Sequence, residues 1–301
     1  MSEPSDWRRP ARLSVGVVGV GRVGSVLGAA LERAGHHVVA AAAVSERSRA
    51  RADALLPGAE LLEPPAVLAR SDLVLLTVPD DELPGLVAGL AATRSVRPGQ
   101  FLVHTCGRYG VAVLEPATRA GALPLALHPV MTFSGTTADL PRLGGASFGV
   151  TAPEALRPAA EALVLEIGAE PVWVEEGLRP LWHAALAHGA NHLVTLVAQS
   201  LDLLRAAGAT EPDRVLAPLL SVALDNALRS GDAALTGPVA RGDAGTVAAH
   251  VAALVEVDAD SLRTYRALAR ATADRALASG RLRAADAEAL LDALAGTEAH
   301  P

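Results

Sequence analysis

Hydrophobic positions along this chain fall into two regimes. Up to about residue 174, short β-branched or leucine-rich runs alternate with stretches of helical spacing. The runs at 13–18, 37–44, 72–78, 100–104, 123–127, 148–151 and 172–174 read as strands. Helical spacing occupies 22–34, 50–56, 80–92 and 153–167, the first closed by Gly35 and the second by Pro57. Strand and helix in alternation pack as a mostly parallel, doubly wound sheet with helices on both faces. Beyond about Gly177 no convincing strand pattern remains. Helical spacing continues at 180–204, 212–230, 244–255, 259–278 and 284–295, with breaks at Gly208, Gly231 and Gly280. The pattern therefore predicts a loose tail over 1–11, an α/β domain over 12–175 and an all-α domain over 176–297.

The first strand runs directly into Gly19-Val20-Gly21-Arg22-Val23-Gly24. In a strand–turn–helix context these glycines have separate tasks. Gly19 makes the tight turn, Gly21 lets a pyrophosphate approach the backbone, and Gly24 lets helix pack on strand. Arg22, Val23 and Gly24 then open a helix whose free N–H groups and positive dipole end suit phosphates. This is the signature of a Rossmann dinucleotide-binding domain; the alternative is a glycine-rich turn with no ligand. At the end of the second strand, where the cofactor ribose is read, stand Ser45, Glu46 and Arg47. A hydroxyl and a guanidinium suit a 2′-phosphate and so favour NADP, whereas Glu46 in a shifted register would read the ribose of NAD.

Ligands of such sheets bind beyond the carboxyl ends of the strands. Three ends carry chemistry here: Thr77-Val78-Pro79-Asp80, His104-Thr105-Cys106-Gly107 and His128-Pro129-Val130-Met131-Thr132-Phe133. Val78 and Pro79 are expected along the middle of the cofactor. His104 is expected near it, and Thr105 near the substrate. His104 and His128 are candidates to bind or protonate a substrate oxygen. Both histidines have a plainer reading as loop caps. Cys106 has no evident activating partner and reads as a small buried residue. On the helix beginning near 180, His183 and Asn191 fall within about 80° of one another if the helix is regular, at about 100° per residue. That stripe is either a second wall of the site or a pair of satisfied core groups. Arg241, in Leu235-Thr236-Gly237-Pro238-Val239-Ala240-Arg241-Gly242-Asp243, could hold a substrate carboxylate, and Asp243 suits a helix N-cap.

Composition narrows the chemistry. The net charge of −7 and an aromatic content of 3% argue against nucleic acid as a partner. All 26 basic residues are arginine. Schiff-base or acid–base chemistry on lysine is therefore excluded, since a guanidinium keeps its proton. The single cysteine rules out an intrachain disulfide and a cysteine zinc cage, and no metal is expected. The longest uncharged helical run, 180–201, contains three histidines, an asparagine and a glutamine, which a lipid-facing helix would not tolerate. With no signal-like apolar core near residue 1, the expected location is the cytoplasm, away from membranes.

The glycine turn together with TVPDDEL, HTCG, LHPVMTF, the His/Asn helix and LTGPVARGD resembles one family over residues 13–278. Its members are Rossmann-like proteins whose helical half is domain of unknown function 2520. In layout the family is similar to 6-phosphogluconate dehydrogenase, 3-hydroxyacid dehydrogenase, pyrroline-carboxylate reductase and ketopantoate reductase. The resemblance implies nicotinamide-dependent oxidoreduction of a small molecule held between the domains, and a homodimer formed through the helical one. The hydroxyacid dehydrogenases place a lysine four residues before their asparagine. If Asn191 is that asparagine, the position holds Ala187, and His183 one turn earlier would have to substitute. The expectation is thus an NADP-dependent reductase of a carbonyl or imine compound bearing a carboxylate, a 2-keto acid such as ketopantoate being one candidate. His183 or else His128 would donate the proton, Asn191 would polarise the carbonyl and Arg241 would hold the carboxylate. A non-catalytic NADP(H)-binding regulatory protein is the alternative.

Overall fold

Eight strands form a single sheet in the order β3-β2-β1-β4-β5-β6-β7-β8. They are β1 (Ser14–Val18), β2 (His37–Ala42), β3 (Glu60–Leu61), β4 (Leu73–Leu76), β5 (Phe101–His104), β6 (Leu123–Pro129), β7 (Ser147–Thr151) and β8 (Glu170–Trp173). The coordinates come from a computed structural model and describe residues 12–295; the tail expected over 1–11 lies outside them. Strands β1 to β6 pair in parallel, β7 turns back antiparallel to β6, and β8 runs parallel to β7. The order changes direction between β1 and β4, the switch point where this sheet class opens a crevice.

Period-two alternation explains why the strands sit between two cores. In β4, Leu73 and Leu75 face one hydrophobic cluster, and Val74 and Leu76 the other. The first cluster is covered by α1 (Arg22–Arg33), α2 (Glu46–Leu55), α6 (Leu140–Leu143) and α7 (Arg157–Glu166). The second is covered by α3 (Pro64–Arg70), α4 (Leu83–Ala92) and α5 (Glu115–Thr118). The short β3 and α3 carry too little pattern to stand out in the sequence, since both residues of β3 are exposed. Helix α2 begins at Glu46, behind its N-cap Ser45, and not near residue 50. Ser45 accepts from Ser48 N–H at 3.1 Å while its own N–H donates to the Ser48 hydroxyl at 2.9 Å, a capping box built from two serines.

The expected helix over 180–204 is not regular. It comprises α8 (Arg179–Leu186), a π turn at Ala187–Asn191 and α9 (His192–Ala206). A π turn advances by fewer degrees per residue than an α-helix, so the stripe arithmetic for His183 and Asn191 does not hold across it. The chain divides into compact units between Ala187 and His188, so α8 counts with the sheet although the pattern changes near residue 176. The second unit is helical throughout its described residues: α9, α10 (Pro212–Ser230), α11 (Gly237–Arg241), α12 (Ala244–Val257), α13 (Ala259–Ala278) and α14 (Ala284–Ala295). Its core is built by α11 to α14, with Val247, Val251, Ala273, Leu290 and Leu294 at the centre. Asp243 caps α12 by accepting from Thr246 N–H at 3.0 Å, as its position suggested.

Candidate active site at the strand ends

The glycine turn has the geometry its spacing requires. Gly19 adopts φ +96°, and a Cβ there would lie 2.8 Å from the Thr77 carbonyl oxygen. A Cβ on Gly24 would collide with Thr77 Oγ1 and Gly19 O. Thr77 itself donates from its hydroxyl to Gly19 O at 2.6 Å, tying the end of β4 to the turn. At Gly21 the side-chain direction is empty to 4 Å. Gly21 also starts α1 with no side-chain cap, so the first N–H groups of a 12-residue helix remain available to an anion.

At the neighbouring strand end the Ser45 hydroxyl is engaged in capping α2, while Arg47 is exposed. A third piece of this edge was not anticipated. In the loop after β6, Gly135 (φ +80°) packs where a Cβ would lie 2.8 Å from Arg22 Cγ and 2.9 Å from Arg51 Nε. The loop is pinned by Asp139, fully buried, which accepts from Ser134 N–H and Gly135 N–H at 2.8 Å each and from the Ser134 hydroxyl at 2.9 Å. Burial alone would raise this carboxyl, but those donors outweigh it and hold the group below the usual carboxylate range.

The ends of β5, β6 and β7 meet the start of α8 in a cluster of imidazoles. His104 is fully buried and both its nitrogens serve the backbone: Nε2 bonds the Gly110 carbonyl at 2.8 Å, and Nδ1 accepts from Cys106 N–H at 3.2 Å. Burial lowers its pKa to about 4, with the Arg179 charge adding to the effect. His104 therefore shapes the loop and has no nitrogen left for the cofactor contact expected of it. His128 is half-buried. Its Nδ1 accepts from Trp182 Nε1–H at 3.2 Å, and burial, Arg179 and His183 lower its pKa to about 4. The His183 ring meets it edge-on, centroids 5.6 Å apart. Both rings converge on Gly107, where a Cβ would lie 3.0 Å from His128 Nε2 and 2.8 Å from His183 Cγ.

What holds this cluster is Arg179, a residue with no sequence signal. It is fully buried and donates to three carbonyls: Nε to Tyr109 at 2.8 Å, Nη1 to Gly149 at 2.9 Å and Nη2 to Cys106 at 2.8 Å. Outside it, Glu176 accepts from Val111 N–H and Ala112 N–H at 2.8 and 3.1 Å. Beside it, the Cys106 thiol is raised to about 11 by burial and by Asp80, so it stays protonated at neutral pH and inert as a nucleophile. Trp182 and Gly149 also escaped the sequence reading.

The other candidates are placed as follows. Val78 packs partly on the second core cluster, and Pro79 is exposed at the end of β4. Thr105 borders an apolar space with Leu27, Leu75, Val103 and Leu127. Asn191 and Arg241 belong to the second unit, both exposed, one in the π turn and the other at the end of α11. Among the described residues no group of three histidine, cysteine, aspartate or glutamate side chains is arranged to hold a metal ion, and no helix is long and apolar enough to cross a membrane.

Residues 1–129 match the family model of the Rossmann-like domain, and residues 146–272 match that of a domain of unknown function, DUF2520. The two matches follow one another along the chain. Solved structures share the fold at low identity. A Bacteroides fragilis protein named as an NADP oxidoreductase is 22% identical with a TM-score of 0.71, over 87% of this chain and 98% of that one. A Thermotoga maritima protein is 20% identical with a TM-score of 0.66, over 88% and 99%. The reductive aminase of Aspergillus terreus, solved with NADPH and ethyl levulinate, is 18% identical with a TM-score of 0.62, over 93% and 99%. No curated protein sequence matches the chain.

Proposed function

We propose that the chain is an NADP-dependent oxidoreductase that reduces a small carbonyl or imine compound carrying a carboxylate. The observation that carries this reading is the uncapped start of α1 behind Gly21, whose side-chain direction is empty, at the same strand ends of the sheet as a paired His128 and His183, with β4 and β5 between. The residues fit the phosphates of a dinucleotide. Arg22, Val23 and Gly24 offer backbone N–H groups, and the exposed Arg47 suits a 2′-phosphate. Fold-mates named for NADP or solved with NADPH favour the same cofactor. Bound there, the nicotinamide supplies a hydride to the substrate carbon. The electron pair of the C=O or C=N bond moves to its heteroatom, and a proton completes the alcohol or amine. His183, half-buried beside His128, is assigned that proton, and His128 an orienting hydrogen bond. For Asn191 the proposed role is polarising the reacting bond, and for Arg241 holding the carboxylate; their replacement by alanine tests each.

The experiment is titration with NADPH and NADH, followed by nicotinamide fluorescence. Tight binding of NADPH and weak binding of NADH is the expected result; binding of neither refutes the reading. His183→Ala should then lower kcat and leave NADPH affinity unchanged. The absence of lysine, with His104 and His128 held neutral by burial, favours a second reading as an NADP(H)-binding protein without turnover. NADPH binding with no consumption across keto acids and imines would select it.

We also propose a homodimer through the helical unit. Helix α9 buries none of its residues and α10 only Pro212. Val194, Leu219 and Leu228 are 70%, 66% and 80% exposed, more apolar surface on adjacent helices than a solitary domain leaves in water. Sedimentation equilibrium should give twice the mass of 30.7 kDa; a monomer at micromolar concentration overturns this.

A further inference from the structure

His128 and Gly149 face each other directly across the antiparallel pair of β6 and β7. Because Gly149 has no side chain, the indole of Trp182 can lie over it; a Cβ there would sit 2.8 Å from Trp182 Nε1. The same glycine's carbonyl is gripped by Arg179, three residues before Trp182 on α8. Sheet and helix are thus fixed together at the one place from which an indole N–H reaches His128.

We infer that Trp182 is a positioning residue that fixes His128 as the Nε2–H tautomer, and that the site therefore takes its substrate through a lone pair, as a carbonyl oxygen offers, and not as an iminium cation. The identity of the reaction rests on the reductase reading above; the tautomer does not. Indole has a donor and no acceptor, so the atom it bonds, Nδ1, is an acceptor. In a neutral imidazole the proton then resides on Nε2. Among the described residues the hydrogen bond to His128 is made at Nδ1, and Nε2 faces Gly107 beside His183. The charged and titratable groups around His128 are Arg179, His183, Asp80 and His104. Arg179 hydrogen-bonds only to carbonyls, and the nearby Glu176 carboxylate offsets part of its charge. Its field favours a substrate atom that gains negative charge during hydride addition. It disfavours the binding of a cation, whose positive charge is present before any hydride arrives. Asp80 opposes this field, but its effect on His128 is smaller than that of Arg179.

The test uses full-length protein labelled with ¹⁵N-histidine, saturated with NADP⁺. Two-bond ¹H–¹⁵N spectra read each ring's tautomer, and the His128 signals are assigned by their loss in His128→Gln. The expected result is an unprotonated Nδ1 and a protonated Nε2 from pH 5.5 to 8. In Trp182→Phe, and in Gly149→Ala where the indole is displaced, His128 should become a tautomer mixture that titrates nearer to an ordinary histidine. A parent His128 that carries its proton on Nδ1, or that already titrates like a free imidazole, overturns the inference. Pyruvate should shift the Nε2 proton, and the N-methylpyrrolinium cation should not. A shift with the cation, or with neither probe, also overturns it. Failure of the reductase reading would show separately, as absence of NADPH consumption. Where turnover exists, Trp182→Phe should lower kcat roughly tenfold and leave NADPH affinity unchanged.

Discussion

Replacing Arg179 by methionine keeps an apolar stem of similar length and removes the guanidinium that serves the Tyr109, Gly149 and Cys106 carbonyls. Each lost hydrogen bond from a charged donor is worth about 1.5–3 kcal/mol. Against that, the folded state no longer keeps a charge out of water, which recovers several kcal/mol. Three buried carbonyls left without donors tip the balance, and the net destabilisation should be about 3–5 kcal/mol. Urea unfolding followed by tryptophan fluorescence measures it, since Trp173 and Trp182 both lie in the first unit. With a slope of about 2 kcal/mol/M, the midpoint should fall by about 2 M. Arg179→Lys provides an intermediate case. It keeps the charge, but a compact ammonium cannot span three carbonyls drawn from separate segments, so about half the loss should remain. A midpoint within about 0.3 M of the parent for the methionine variant would show that the clamp is not what holds α8 to the sheet.

Three further outcomes follow from the same cluster and from the glycine turn. His104 and His128 have pKa values near 4 when folded and near 6.5 when unfolded, so the unfolded chain binds more protons between those limits. Stability from each is full above about pH 6.5 and lost as pH falls toward 4, about 2 kcal/mol per histidine between pH 7 and 5. Urea midpoints at the two pH values check this, and His128→Gln should remove about half the difference. The Cys106 thiol, raised to about 11, should resist iodoacetamide at pH 7.5 in the native protein and react on unfolding; rapid native alkylation would contradict its burial. Gly24→Ala would drive a Cβ into Thr77 Oγ1 and Gly19 O, forcing α1 off β1. NADPH affinity should drop roughly tenfold or more, as it should in Gly21→Asp, and unchanged affinity in both would remove the turn from the binding site.

How much of this could be read beforehand depended on whether a residue's role is local. The glycine turn was legible because its requirements are backbone conformation and close approach within a few residues of Gly19. The strand ends were legible because leucine and valine runs stop at Thr77, His104 and His128. The role of each histidine was not. His104 became a loop brace because Gly110 and Cys106 fold back onto it, and the spacing of HTCG does not specify that return. Arg179 reads as an ordinary surface residue ahead of Pro180; only the convergence of three segments makes it a buried donor. Trp182 acquired its task from Gly149, which is remote in sequence and opposite His128 only through strand pairing. The π turn escaped because an apolar helix pattern continues across it, so an inserted residue leaves little trace in periodicity.

The antiparallel β7 has a consequence for how the chain avoids near-native errors. Parallel strands of this sheet have their alignment enforced by crossover helices, whereas β7 follows a long connection and is aligned with β6 by four residue pairs. A slip of one residue would set Phe148 or Val150 opposite His128 and turn every side chain of β7 to the other face. The indole would then have no seat, and the guanidinium of Arg179 would face a displaced carbonyl. Wrongly aligned molecules would thus forfeit the clamp as well as the strand contacts, widening the energy gap between the native sheet and its closest misfolded competitors. The residues that shape the site also act as a check on correct assembly, one that an insertion between residues 130 and 146 should leave intact.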